Sequence, residues 1–333
     1  MNYFKSFSEA LKSIKERDFD KIALELFQWQ ALHNPVYFQF LEAMGADPKN
    51  VSYLEDIPFI PIEFFKSHKV YCSDQHLEEG FFSSSGTTGM QQSKHYYWSM
   101  EFYLSHCQRL FESQYGPIDE IHVLALLPSY LEREGSSLIA MADHFIKLSG
   151  SPHSGFYLNE HEELLSKLEN LCQSNKKVLL LGVTFALLDL AEKVERPIPC
   201  PQLILMDTGG MKGRRREMIR EEVHGILKSA FGVEAVHSEY GMTELMSQAY
   251  AKGEGKFNLP FTMKAFIRDP YDPYALLEEG KVGAINLIDL ANFHSCAFLA
   301  TQDLGKLDKQ GQLEVLGRMD NSDIRGCNLL VSG

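Results

Sequence analysis

Val233-Glu234-Ala235-Val236 runs straight into His237-Ser238-Glu239-Tyr240-Gly241-Met242-Thr243-Glu244-Leu245. A largely apolar run ending in a polar turn reads as a strand with a functional loop at its carboxyl end, where open α/β sheets place their ligands. The pattern repeats. Leu203–Met206 opens onto Asp207-Thr208-Gly209-Gly210, and Ile121–Leu127, Val178–Gly182 and Ala284–Leu290 are apolar runs of similar length. Helical spacing of apolar residues fills the intervals at Ser99–Tyr115, Ser136–Leu148, Glu160–Cys172, Leu187–Val194 and Arg215–Ser229. Strands alternating with helices predict an α/β fold with a mainly parallel sheet flanked by helices.

Upstream the chain reads as helical. Asp20–Leu32 carries Ile22, Leu26 and Trp29 at helical spacing. Asn34 suits an N-cap, Pro35 a first helical position and Gly45 the residue past the end, so Asn34–Gly45 is a helix signalled at both ends. Two prolines make Ile57-Pro58-Phe59-Ile60-Pro61-Ile62 extended. Downstream, Gly280–Leu316 is richer in short strands and turns. The expected organisation is one continuous domain: a helical segment over 1–60, an α/β core over 61–279 and a β-rich lobe over 280–333.

The chain has 333 residues, 44% hydrophobic and 23% charged, which suits a globular fold. A net charge of −13 argues against a broad nucleic-acid footprint. It leaves local phosphate binding by backbone N–H groups open. The N-terminus lacks an apolar signal region. The longest apolar run, Val178–Leu188, is too short for the roughly 20 residues of a membrane span. These features predict a cytoplasmic protein without a transmembrane segment. Cys72, Cys107, Cys172, Cys200, Cys296 and Cys327 are scattered and form no CxxC pair, so the expectation is reduced thiols and no zinc site.

Ser83-Ser84-Ser85-Gly86-Thr87-Thr88-Gly89 packs five hydroxyls and two glycines into seven residues. Glycines let backbone approach a ligand, and hydroxyls with free N–H groups suit a phosphate. No Gly-Lys-Ser/Thr closes the loop, so it is not a Walker A motif, and G-x-G-x-x-G and G-x-S-x-G are absent. Tyr240 offers a flat face to a base, Thr243 a hydroxyl and Glu244 a hard oxygen for Mg²⁺. Thr208-Gly209-Gly210 would let a planar ligand pack on bare backbone. Thr301-Gln302-Asp303 places an acid suited to a ribose diol, and Gly317-Arg318-Met319-Asp320 a cation suited to phosphate.

In that order these segments resemble the adenylate-forming superfamily. The resemblance implies the large N-terminal domain of that fold, ATP as cosubstrate, a phosphate loop at Ser83–Gly89, and nucleotide contacts from Thr208–Gly210, Ser238, Tyr240, Gly241, Asp303 and Arg318. Thr301-Gln302-Asp303 departs from the usual Thr-Gly-Asp by its middle residue. Ile60-Pro61-Ile62-Glu63-Phe64-Phe65-Lys66, Leu127–Ser137 and Glu239–Glu244 are similar to the acyl-protein synthetases, the long-chain-fatty-acid–protein ligases of the bacterial-luminescence fatty-acid reductase. The chain ends at Gly333, so the expectation is that the mobile C-terminal domain of larger relatives, with its adenylation lysine, is absent. Lys212, Arg214, Lys94 or a partner protein would then supply the missing cation.

The implied chemistry is attack of a fatty carboxylate on the α-phosphorus of ATP, with Thr243, Glu244 and Arg318 at the reacting groups. Transfer to a cysteine thiol, Cys327, and delivery to a reductase partner would follow. A phenylacetate-type CoA ligase or carrier-protein loader is the first alternative, and a non-catalytic nucleotide-binding subunit the second. His294 with Cys296 reads as an ordinary pair rather than a metal site, and Trp29 and Trp98 as core. Segments Ser129–Met141 and Gly182–Leu188 are the expected walls of the acyl pocket.

Overall fold

The computed structural model describes residues 3–72, 77–84, 91–127, 135–209 and 218–319. They form two compact units, one drawn from segments 1–102, 243–247 and 258–333, the other from 103–242 and 248–257.

The first unit begins with α1 (Tyr3–Leu11), α2 (Phe19–His33) and α3 (Pro35–Ala43). Local chemistry sets the limits of α3. Asn34 Oδ1 accepts the N–H groups of Val36 and Tyr37, each at 3.1 Å. Gly45 takes φ +65° past the other end. That turn lets the N–H groups of Gly45 and Ala46 reach the carbonyls of Glu42 and Leu41. Next come β1 (Ile60–Pro61), α4 (Phe64–Ser67), and the antiparallel hairpin of β2 (Gly80–Ser83) and β3 (Lys94–Tyr97). Helix α5 (Met100–Tyr115) follows, and from Tyr103 onward it belongs to the second unit.

The second unit contains β4 (Ile121–Leu126), α6 (Ser137–Leu148), β5 (Gly155–Tyr157), α7 (His161–Leu171), β6 (Lys177–Gly182), α8 (Thr184–Ala191), β7 (Leu203–Thr208), α9 (Arg220–Phe231), β8 (His237–Tyr240), β9 (Ala249–Ala251) and β10 (Lys256–Asn258). Strands β5-β4-β6-β7-β8 pair parallel in that order, with β9 antiparallel on β8. Every residue of β4 and β7 is buried, which is why these strands read as unbroken apolar runs rather than as alternation.

The first unit resumes with β11 (Met263–Arg268), β12 (Gly283–Asp289), β13 (Phe298–Leu307) and β14 (Leu313–Arg318), an antiparallel series. Strand β1 joins it in parallel on β13, Ile60 facing Leu299. The fold is mixed α/β, mainly parallel in the second unit and mainly antiparallel in the first.

Four expectations need correction. The strand at Val233–Val236 lies at His237–Tyr240 instead. Gly232 ends α9 at φ +69°, the next four residues take up the turn, and pairing of Met206 with His237 sets where β8 begins. Helix α8 starts at Thr184, not Leu187; seven of its eight residues are buried, so apolar spacing carried no phase. Helix α9 starts at Arg220, with Met218 and Ile219 ahead of it; residues 215–217 of the predicted helix lie outside the described residues. Two of the six cysteines are not thiols. Cys172 at the end of α7 is bonded to Cys200 ahead of β7, their Cα atoms 5.0 Å apart. Sheet order brings those ends together across 28 residues, a proximity that spacing does not announce. Among the described residues no helix is long and apolar enough to cross a membrane.

Candidate active site

In the first unit the two sides of the β2–β3 hairpin are tied just above the strands. Ser83 ends β2 opposite Lys94. The Ser84 N–H donates to the Ser93 carbonyl at 3.1 Å, and the Ser93 N–H donates to Ser84 Oγ at 2.9 Å. The remaining residues of the predicted phosphate loop, Ser85, Gly86, Thr87, Thr88 and Gly89, lie outside the described residues.

Ser93 also connects this root to Glu244. Its side chain hydrogen-bonds the Glu244 carboxyl, which is only 6% exposed. Burial pushes that carboxyl above its usual range; Ser93 and, to a lesser degree, Arg318 pull it back, while Asp303 pushes it up. Asp303 on β13 stands across from Arg318 on β14, Nε to Oδ1 3.6 Å. Arg318 is 69% exposed, so the pair adds little stability, and its cation remains available to a solvent-facing anion. Glu244, Asp303 and Arg318 therefore form one electrostatic group beside the hairpin root.

Neighbouring side chains hold that group in place. Thr301 Oγ1 donates to the Ile285 carbonyl at 2.8 Å and accepts the Asp303 N–H at 3.1 Å. Arg268 donates through Nη2 to the Thr301 carbonyl at 2.9 Å and through Nε to Asn286 at 2.8 Å. Gln302, the departure from Thr-Gly-Asp, donates its amide to the Glu63 carboxylate. His95 on β3 bridges Thr243 and Ser295. Its Nδ1–H donates to the Thr243 carbonyl at 2.9 Å and its Nε2 accepts from Ser295 Oγ at 2.8 Å. Burial pushes this imidazole down to about 4, so it is neutral at pH 7 and the carbonyl fixes the proton on Nδ1. Asn292 donates to the Glu244 carbonyl at 2.8 Å.

Asp289, fully buried at the end of β12, accepts the N–H groups of Met246 and Ser247, both at 2.9 Å, Ser247 Oγ at 2.7 Å and the Ala291 N–H at 3.0 Å. Asp289→Ala leaves these donors buried without an acceptor. It is expected to cost at least ~3 kcal/mol, seen as a lowered urea midpoint, with Asp289→Asn milder. Sequence reasoning missed His95, Arg268, Asp289 and Asn292; none sits in a motif, and only partners distant in sequence reveal them.

In the second unit, the predicted nucleotide residues lie at the carboxyl ends of β7 and β8. Thr208 ends β7 and donates its Oγ1–H to Oε2 of Glu239, its register partner on β8, at 2.5 Å. A Cβ added at Gly209 would meet no atom of the described residues within 4 Å, which leaves an open face there. Tyr240 ends β8, is buried, and lies 5.7 Å from the Phe257 ring. A Cβ at Gly241 would come within 2.5 Å of Glu239 Oε1, so any larger residue there would have to push that carboxyl aside. Ser238 is buried, and its Oγ has no hydrogen-bond partner among the described residues. The Tyr240–Glu244 motif is thus divided, Tyr240 and Gly241 in the second unit, Thr243 and Glu244 in the first.

Gly210, Lys212, Arg214 and Cys327 lie outside the described residues, as do residues 129–134 of the expected acyl-pocket wall. Lys94 Nζ lies 4.9 Å from the Phe81 ring centre. His294 and Cys296 are buried, and among the described residues no group of three or more His, Cys, Asp or Glu side chains could hold a metal alone.

A family model described as "Acyl-protein synthetase, LuxE" matches residues 7–333. The long-chain-fatty-acid–luciferin-component ligase of Vibrio harveyi is 23% identical over 332 residues, 92% of this chain and 85% of that protein. The ligase of the same name from Photorhabdus luminescens is 31% identical over 71 residues, 21% of this chain and 60% of the relative. Among solved structures, a 2-hydroxyisobutyryl-CoA ligase in complex with 2-HIB-AMP and CoA has a TM-score of 0.67 at 15% identity, over 93% of this chain and 70% of that one. ATP-bound MatB from Rhodopseudomonas palustris has a TM-score of 0.52 at 18% identity, over 72% of this chain and 47% of that one, so the chain spans about half of MatB's length. These structures share the fold of adenylate-forming enzymes. With the family match running over nearly its whole length, the chain belongs to the acyl-protein synthetases, a family of acid-activating ligases.

Proposed function

We propose that this protein activates a long-chain fatty acid with ATP in the cytoplasm and passes the acyl group, through a thioester on Cys327, to a reductase-type protein partner. In the first step a carboxylate oxygen bonds to the α-phosphorus of ATP and the bond to pyrophosphate breaks, giving acyl-AMP. Both reactants are anions, so the site must neutralise charge and align the groups. The observation that carries this reading is the gathering of Ser93, Glu244, Asp303 and Arg318 at the root of the hydroxyl-rich hairpin in a member of this family.

Each side chain has a role that its surroundings suit. Arg318, largely solvent-exposed, neutralises phosphate charge. Asp303 accepts hydrogen bonds from the ribose diol, and Tyr240 stacks on adenine beside the open face at Gly209. Glu244 suits Mg²⁺, which is held by one or two carboxylates together with substrate phosphates and water rather than by a protein cage. A buried carboxyl whose ionised form is disfavoured by desolvation gains most from such a neighbour. When bound, the ion would supply charge neutralisation at the phosphates.

Exchange of labelled pyrophosphate into ATP, measured across a panel of carboxylic acids, tests the reading. Exchange dependent on long-chain acids, followed by a hydroxylamine-labile acyl group on the protein, is expected. Exchange with no acid in the panel would reject it, and acyl transfer to free CoA with no acylated enzyme would redirect it to a CoA ligase.

A further inference from the structure

Two carboxyl groups sit in the adenylate motif, and the proposed function uses only Glu244. Glu239 is the other. It is 8% exposed, on β8, at the carboxyl ends of the parallel strands of the second unit. No cation reaches it within ion-pair distance among the described residues. One carboxyl oxygen is 2.5 Å from the hydroxyl of Thr208, the last residue of β7. The other occupies the space in which a side chain at residue 241 would have to lie, 2.5 Å from the position of a Cβ there. The same carboxyl thus contacts both chain segments that would form the nucleotide shelf, Thr208–Gly209 and Tyr240–Gly241. Nothing in a stable core requires an acid at this point.

We propose that Glu239 is a positioning residue for the nucleotide, setting the direction of the Thr208 hydroxyl and the seat of the backbone at Gly241. This rests on the adenylation reading above. The chemistry has two states. An ionised Glu239 can only accept, so it holds the Thr208 hydrogen on itself. A protonated Glu239 donates its own hydrogen to Thr208 Oγ1, and the Thr208 hydrogen is then released toward a ligand.

The groups facing Glu239 are Asp207 and Thr208 from β7, Tyr103 and Cys107 from α5, and Tyr250 from β9. Burial holds Tyr103, Tyr250 and Cys107 in their neutral forms by raising each. Asp207 is the remaining acid, with His224 Nε2 3.8 Å from its Oδ1. Burial first, with Asp207 adding and Thr208 opposing, places Glu239 at about 7. The two states therefore exchange in the range where the enzyme is assayed.

The test is KM for ATP in acid-dependent pyrophosphate exchange between pH 5.5 and 8.5, for the parent, Glu239→Gln, Glu239→Leu and Thr208→Val. KM of the parent should rise as pH passes about 7. Glu239→Gln should flatten that rise. Glu239→Leu and Thr208→Val should each raise KM about tenfold, more than they lower kcat, and the double variant should be no worse than either single one. Thermal unfolding gives a readout independent of activity. An acid raised in the folded state stabilises fully below its unfolded value and loses that contribution as pH climbs through its folded value. The parent's midpoint should therefore fall between pH 5 and 8, and that of Glu239→Gln should fall less. A parent KM that is flat with pH, or a Glu239→Gln profile that tracks the parent's, overturns the proposal while leaving adenylation intact. A parent that neither exchanges pyrophosphate nor binds ATP by calorimetry overturns the adenylation reading and this proposal with it.

Discussion

Glu244→Gln is expected to lower fatty-acid-dependent pyrophosphate exchange by roughly a hundredfold or more while leaving the fold at least as stable as the parent. The two halves of this result have one cause. Glu244 is buried, and desolvation outweighs the help of Ser93 and Arg318, so its folded-state value lies above the usual carboxylate range. An acid raised in this way stabilises the fold when protonated and loses that contribution as pH rises through its folded value. At neutral pH its ionised form costs stability. Glutamine keeps the shape, can still accept from the Ser93 hydroxyl, and removes that cost. It also removes the negative charge that suits a cation at the phosphates. A group that weakens the fold when empty and is needed when loaded is the usual compromise of a functional site. Exchange within threefold of the parent, or a fall in thermal midpoint matching the loss of rate, would count against this role for Glu244.

Where local chemistry fixes an element, the sequence was enough. The Asn34 cap, Pro35 and the positive φ at Gly45 act within a few residues, so α3 was legible at both ends. The apolar runs at Ile121 and Leu203 were equally readable because strands covered on both faces have no polar side to interrupt them. Elements placed by tertiary pairing were harder. Strand β8 is His-Ser-Glu-Tyr, a poor strand by composition, and it exists because β7 and β9 supply its hydrogen-bond partners. The valines ahead of it gave the right kind of element four residues too early.

Motif order gave the family, but not the contacts that hold the motifs. Nothing near His95 in sequence indicates that its ring supports the Thr243 carbonyl, 148 residues away. Gln302 stood out as a departure from Thr-Gly-Asp, yet its amide reaches Glu63 in the Ile60–Lys66 segment, which had been singled out for a separate reason. Glu239 sits inside the motif with no role visible from sequence, since a carboxyl looks acidic and solvated until its burial is known.

Cys327→Ser should abolish hydroxylamine-labile acylation of the protein, by about a hundredfold or to background, while pyrophosphate exchange stays within about twofold of the parent. Transfer requires a thiolate to attack the acyl carbon of acyl-AMP; a C–S bond forms, the C–O bond to AMP breaks, and the thiol proton passes to solvent. Of the six cysteines, the five that are described suit this badly. Cys72, Cys107 and Cys296 are buried. Burial raises the Cys107 thiol strongly and pushes Cys296 up to about 12, so at neutral pH almost none of either is thiolate. Cys172 and Cys200 are joined to each other. Cys327 follows Gly326 and comes nine residues after Arg318, close in sequence to the end of β14 proposed to meet the nucleotide. Serine has nearly the same size but is far less nucleophilic at neutral pH, so it should separate the second step from the first. Undiminished labelling of the serine variant would place the acyl group elsewhere. Loss of exchange together with labelling would make Cys327 part of adenylation rather than the acceptor that follows it.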